Sequence, residues 1–296
     1  MNVLHTPVDG EPIAAVRLIG IGASGRRFAQ QFHTHIDAPA HTPLADLLSQ
    51  QPTSIKIGIG MADSGEHVDG DQIDLKDTCI LCLAFGSDMT PAEIEAAMHL
   101  IWRMWDQHGH VIGIVLGVHN RPPPDPDSML GILCESIDAR IDIADLTDAA
   151  ELAPLQWFYV ALQRSVLEGL SILEAAWDHS DVAEALDLGH VQLELFTQPL
   201  DGPTQLDAAM VEVLEAFRHR GVWLEQARGA VLVLWAPSEY QITVRMVRGL
   251  GRSLGEALGE GGLHLIIRLK SRPAAGDQTA YLTLAVSTPR SQTRFQ

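Results

Sequence analysis

Six residues near the amino end, Gly20-Ile21-Gly22-Ala23-Ser24-Gly25, have the spacing of a phosphate-binding turn. Glycines at its first, third and sixth positions let backbone N–H groups approach an anion, and a helix starting there adds the positive end of its dipole. The run before it, residues 16–22, is short and apolar and predicts a buried parallel strand. The same six residues also suit a tight strand–helix connection with no ligand, and the pattern alone leaves both readings open. A dinucleotide fold needs, in addition, an acid at the end of the second strand, about 20 residues on. Asp46 has the distance but lies in a stretch with helical character, and Asp63 follows the expected second strand far too late. An NAD-dependent oxidoreductase is therefore disfavoured.

Thiol and metal chemistry have less support. His33 with His35, and His108 with His110, are spaced i, i+2, not the i, i+4 that puts two imidazoles on one helical face. Cys79 and Cys82 are three apart in a strand pattern, so their side chains point to opposite faces. With Cys134 they make three cysteines, two within apolar strand sequence, which fits a reducing, cytoplasmic setting.

The elements that would position the glycine turn are legible from pattern. Residues 54–60, 78–84 and 111–118 are continuous apolar runs of strand length, and residues 91–107 have helical spacing through Ile94, Ala97, Met98, Ile101 and Met104. Thr90 with Glu93 predicts a capping box, with Pro91 at the first helical position. Strands alternating with helices imply a parallel sheet. Residues 61–76 and 120–128 are loop sequence. Residues 151–173 predict one long helix, with Pro154 in its first turn. Beyond it, residues 190–197, 227–236, 263–270 and 280–287 predict strands. Residues 205–218 predict an amphipathic helix begun by Thr204 and Asp207. Ser238 with Gln241 predicts a second capping box, opening a helix that carries Ile242, Met246, Leu250 and Leu254. The organisation is α/β, with a domain over 1–150, a central helix over 151–175 and a C-terminal α/β domain with a mixed sheet over 176–296.

Composition bounds the partners. The chain is 46% hydrophobic and 20% charged, which suits a globular protein and not a disordered one. Its net charge of -18 repels nucleic acid and anionic membrane, and leaves self-assembly or protein partners. The first residues lack the basic and apolar segments of a signal peptide, and no apolar run reaches bilayer length.

Taken in order, several segments resemble the tubulin/FtsZ superfamily, and in particular the bacterial cell-division protein FtsZ. VRLIGIGASGRR resembles the first strand and first phosphate loop, and DTCILCLAFGSDMTPAE the strand entering the family's signature loop. HVIGIVLGV resembles the next strand, and SVLEGLSIL the end of the central helix. Asp178-His179-Ser180-Asp181-Val182 resembles the acidic loop after that helix. GVWLEQARGAVLVLWAPSEYQITVRMVRGLGRSLGEAL, followed by two strands, resembles the second domain. The resemblance implies an N-terminal Rossmann-like domain that binds GTP or GDP with Mg²⁺, and subunits that associate head to tail into filaments. It implies that Gly20, Gly22, Ala23, Ser24 and Gly25 touch phosphate and that Asp178 and Asp181 complete a neighbour's catalytic site. It also implies that Trp157, Phe158 or Tyr159 stacks on the base.

The chain departs from that pattern where phosphate should be held. The signature loop is reduced to Phe85-Gly86-Ser87-Asp88-Met89-Thr90, with one glycine and a carboxylate, Asp88, that would repel phosphate unless a cation intervened. Gly86, Ser87 and Thr90 remain as candidate phosphate contacts, although Thr90 equally suits a helix cap. Ala23 and Ser24 replace glycines, and Arg26 and Arg27 follow, as phosphate ligands or as surface charges. Asp178 and Asp181 likewise suit either catalysis or the capping of a helix over 182–188. The sequence ends after the last strand, without the family's adaptor-binding tail. Two expectations follow: a self-assembling guanine-nucleotide protein with weak or absent hydrolysis, or a pseudo-GTPase scaffold with no cofactor.

Overall fold

Continuous apolar runs become central strands, because only a strand covered on both faces can bury every side chain. The computed structural model describes residues 16–36, 55–59, 73, 75, 78–118, 125–144, 149–167, 179–200, 206–237, 242–259, 262–271 and 280–290. Within these, the strands are β1 (Val16–Ile21), β2 (Ile55–Ile59), β3 (Ile80–Phe85), β4 (His110–Leu116), β5 (Ala139–Ile143), β6 (Val191–Leu200), β7 (Gly229–Pro237), β8 (Leu263–Ser271) and β9 (Ala280–Pro289). They form one sheet in the order β2-β1-β3-β4-β5-β6-β9-β7-β8. Strands β1 to β5 are parallel, β6 continues parallel to β5, and β9 runs antiparallel to both β6 and β7. β8 pairs parallel with β7, so β8 and β9, neighbours in sequence, are separated in space by β7.

The described helices are α1 (Gly22–Ile36), α2 (Pro91–Asp106), α3 (Met129–Glu135), α4 (Ala149–Leu167), α5 (His179–Ala185), α6 (Leu206–His219) and α7 (Val244–Leu258). Strand alternation divides the core into layers. Val16, Leu18, Ile80, Cys82, Ile112 and Ile114 face one side, with α1, α4 and α5 against them. Val231, Val233 and Trp235 extend that same layer across the C-terminal strands. Ile19, Ile21, Leu81, Leu83 and Phe85 face the other side under α2 and α3. Ala230, Leu232 and Leu234 face α6 and α7. The result is an α/β sandwich of three layers.

The expected strands form, with different boundaries in places. Strand β5 and helix α3 are additions: Ala-Arg-Ile-Asp-Ile is too short and too polar to stand out in sequence, yet it pairs in register with β4. Helix α1 opens at Gly22, inside the glycine turn itself. The capping box of α2 is as expected: Glu93 N–H donates to Thr90 Oγ1, and Thr90 N–H donates to the Glu93 carboxylate. Helix α7 is capped by Thr243, whose Oγ1 accepts from Met246 N–H at 3.3 Å, so Ile242 precedes the helix; Ser238 and Gln241 lie outside the described residues. Pro154 stands inside α4, as its sixth residue, and not in the first turn. Thr204 and the expected continuation of the central helix past Leu167 also lie outside the described residues.

Burial pushes the Cys82 thiol up to about 12 and the Cys134 thiol up to about 11, so neither is a nucleophile near neutral pH. All three cysteines are unbridged. No helix among the described residues is long and apolar enough to cross a membrane.

Candidate functional site

The strand order places a ligand site before any side chain is considered. Between β1 and β3 the winding of a parallel sheet reverses, with β2 on one side and β3, β4 and β5 on the other. The loops leaving the carboxyl ends of two such strands diverge and leave a crevice. Here those loops are the Gly20–Gly25 turn and the Phe85–Thr90 loop, since Gly20 pairs with Ala84 and Ile21 with Phe85.

Each glycine of the first turn has a reason of its own. A Cβ on Gly20 would stand 2.1 Å from the Gly25 carbonyl oxygen, and a Cβ on Gly25 would stand 2.1 Å from that of Ala84. Both glycines let α1 lie directly against the backbone of β1 and β3. Gly22 has φ of 72°, the left-handed region that L side chains avoid, and turns the chain from strand into helix. A Cβ on Gly22 would meet Met89 Cγ at 3.1 Å and Asp88 Oδ1 at 3.6 Å. The Gly22 turn is therefore faced by the protein's own second loop.

The two loops are clamped together by Asp88. Its Oδ2 accepts from the Ser24 backbone N–H at 2.8 Å and from Ser24 Oγ at 3.0 Å. Ser24 is in the first turn of α1, where backbone N–H groups lack intrahelical partners and the dipole favours an anion. The Asp88 carboxylate thus holds the position that a bound anion would take. Gly86 makes this geometry feasible, because a Cβ there would lie 2.9 Å from Asp88 Oδ1 and 3.1 Å from Ser24 Cβ.

Arg26 and Thr90 are engaged as well. Arg26 Nη1 donates to Glu93 Oε1 at 3.0 Å, and Thr90 donates both its N–H and its Oγ1–H to Glu93 Oε2, at 2.8 and 2.9 Å. Glu93 is 7% exposed. Burial alone would raise its carboxyl, but the hydrogen bonds from Thr90 and Arg26 and the Arg26 charge outweigh it and hold Glu93 below the usual carboxylate range. Ala23, Arg27, Ser87 and Asp88 are exposed, so the clamp sits at the surface.

The other expected site residues lie elsewhere. Trp157, Phe158 and Tyr159 are core side chains, with Phe158 only 1% exposed. Trp157 packs on Trp235 and Tyr281, and Tyr159 meets Phe32 edge to face. None of the three presents a ring for a base to stack on, because the central helix turns that face into the sheet. Asp181 is exposed in the first turn of α5, which packs against α4, β7 and β8. That helix starts three residues before the expected 182, so Asp181 is not its cap. Asp178 lies outside the described residues.

A nucleotide phosphate needs free donors at the start of α1, and the two that Ser24 offers are already taken. The Ser24 N–H and hydroxyl serve Asp88, the Thr90 hydroxyl serves Glu93, and any phosphate seated there would face a carboxylate. Among the described residues no group of three His, Cys, Asp or Glu could hold a metal ion. The role of Asp88 as a built-in anion and that of Glu93 as the partner of Arg26 are not readable in sequence, since they join residues 64 and 67 positions apart.

No family model matches the chain, and no curated protein is detectably similar to it in sequence. Its structure nevertheless resembles solved ones along nearly its whole length. An FtsZ variant from M. jannaschii superposes with a TM-score of 0.59 at 12% identity, over 95% of this chain and 93% of that chain. GDP-bound CetZ1 from Haloferax volcanii gives 0.54 at 15% identity, over 95% and 96%. A GTPγS-bound protofilament of CetZ2 from the same organism gives 0.53 at 18% identity, over 94% of each. The chain has the FtsZ/tubulin fold.

Proposed function

We propose that this chain is a self-associating scaffold of the FtsZ/tubulin fold in which Asp88 replaces the phosphate, so that assembly proceeds without GTP binding or turnover. The observation that carries this reading is the Asp88 carboxylate on the Ser24 N–H and hydroxyl at the start of α1. A side-chain carboxylate satisfies the same N–H group and dipole that a phosphate would, and being tethered, it holds the two loops together without ligand. The pairing of Arg26 with Glu93 supports it, because the Arg26 guanidinium, which could otherwise reach a phosphate, already has a carboxylate partner. Self-association is supported by the assembled state of the similar CetZ2, solved as a protofilament, and by an FtsZ dimer from M. jannaschii solved empty.

Calorimetric titration of nucleotide-stripped protein with GTP and Mg²⁺ tests this reading. The expected result is no saturable heat for the native chain, and new binding in Asp88→Gly, which returns the Ser24 donors. Sedimentation should show the same oligomers with and without nucleotide. Tight stoichiometric GTP binding by the native chain would overturn the reading.

One observation favours a second reading, in which a guanine nucleotide enters with a cation. Asp88 is exposed, and an exposed carboxylate beside a phosphate site can become a ligand of Mg²⁺. In that case the native chain binds GTP only with Mg²⁺ present, and Asp88→Asn abolishes binding instead of creating it.

A further inference from the structure

Arg245, Arg248 and Arg252 stand at i, i+3 and i+7 of α7 and so share one face with Gly249, while Leu250, Leu254 and Leu258 on the other face are buried. All three arginines are exposed. Among the described residues none of them forms an ion pair or a hydrogen bond. With Leu206, Asp207 and Val244 they line a groove of about 620 Å³ between the start of α6 and α7. Gly249 also lines it, and a Cβ there would come into contact with Asp207 Oδ1, at 3.5 Å. Val244, 70% exposed, gives the groove an apolar rim.

We infer that this groove is a docking site for an acidic segment of a partner protein. Three guanidiniums against one carboxylate, Asp207, leave the groove with two surplus positive charges on a chain whose net charge is -18. Such a local reversal of sign steers an acidic partner to this face and away from the rest of the surface. Guanidiniums take carboxylates through two parallel hydrogen bonds, and the span from Arg245 to Arg252 is about 10 Å along the helix. The step from Arg248 to Arg252, about 6 Å, matches carboxylates two residues apart on an extended chain, whose side chains share a face. The site is concave, which suits a polypeptide segment; a flat bilayer would touch only its rim. The acidic body repels anionic lipid and nucleic acid alike. The inference is independent of whether the crevice between β1 and β3 binds nucleotide.

The probe is a fluorescein-labelled peptide of repeated Glu-Leu-Glu units, read by fluorescence polarisation on the full chain, with a Gln-Leu-Gln peptide as its neutral counterpart. The acidic peptide should bind at least about tenfold more tightly than the neutral one, and more weakly as salt is added. Arg248→Glu should weaken binding by about tenfold or more, Arg248→Gln by less, and Arg245→Glu combined with Arg252→Glu should abolish it. Arg218→Glu, the same charge change at the far end of α6, should leave affinity unchanged. Equal affinity for the two peptides, or an equal loss in Arg218→Glu, would overturn the inference. So would phosphatidylserine vesicles binding through the same arginines in place of the peptide.

Discussion

The crevice between β1 and β3 and the groove between α6 and α7 are opposites in how they treat charge. In the crevice the polar groups are turned inward on each other: Asp88 on Ser24, and Glu93 on Arg26 and Thr90. In the groove three arginines face solvent with no partner among the described residues. A fold predicts where a ligand site can lie, but only the pairing of donors and acceptors tells whether the site is still open. By that criterion, the side chains of Ser24, Arg26 and Thr90 in the crevice are paired from within, whereas the groove arginines have no partner among the described residues.

If crevice residues serve structure, altering them should cost stability, and altering the groove should not. The largest effect is expected at Gly25, where any Cβ is driven into the Ala84 carbonyl, backbone against backbone. Gly25→Val should cost about 3 kcal/mol or more in denaturant unfolding. A mild effect there would mean that α1 can move away from β3, and that the crevice is looser than described.

Next comes the link between the two halves. Arg290, just after β9, donates to the carbonyls of Cys134 at 2.7 Å, Ile137 at 2.7 Å and Val191 at 3.2 Å. It ties the end of the last strand to the end of α3, and Arg290→Ala should cost about 2 to 3 kcal/mol in equilibrium unfolding. A loss confined to the C-terminal half would sharpen the comparison by separating the two regions energetically.

Smaller again is Glu93→Gln, at about 1 to 2 kcal/mol, because the amide keeps acceptor capacity but loses the Arg26 ion pair. The sign with pH follows from the depressed carboxyl. In the unfolded chain Glu93 titrates at the ordinary value of a glutamate carboxyl, and in the folded chain below it. Its contribution is complete above that unfolded value and is lost as pH falls through the lower folded-state value. The difference in unfolding free energy between native chain and variant should therefore be constant near neutral pH and shrink as pH falls below the ordinary carboxyl range. The smallest change is expected for Arg248→Glu, within about 0.5 kcal/mol, since the residue is exposed and unpaired. A larger loss would show that the groove arginines are structural.

How much of this was legible in the sequence depends on range. Strands such as residues 80–85 and 229–237 are continuous apolar runs, and the Thr90 and Glu93 capping box spans four residues, so local pattern suffices for both. The start of helix α1 is not legible locally, because a glycine such as Gly22 has the lowest helix propensity after proline. Its positive φ is in fact the turn into the helix. The cap of α7 was expected at Ser238, where serine and glutamine have the right spacing; Thr243 has no polar partner three residues on and is matched only by a methionine. Phe158 drew a functional reading because aromatic residues suit base stacking, whereas burial in the sheet decides its role. Asp88 was recognised as out of place beside a phosphate. What sequence could not supply was its partner, Ser24, which is brought near only by the pairing of β1 with β3. The arginines of α7 carry no signal in sequence, because what marks them is the lack of a partner among the described residues, a property visible only in three dimensions.

The most direct test of the central claim is the Ser24 backbone amide resonance, recorded in isotope-labelled protein before and after saturation with GTP and Mg²⁺, and again in Asp88→Asn. The account predicts a Ser24 amide that does not move with nucleotide in the native chain and that shifts when Asp88 loses its charge. A saturable shift of the native Ser24 amide on adding GTP would show that phosphate displaces Asp88, and would contradict it.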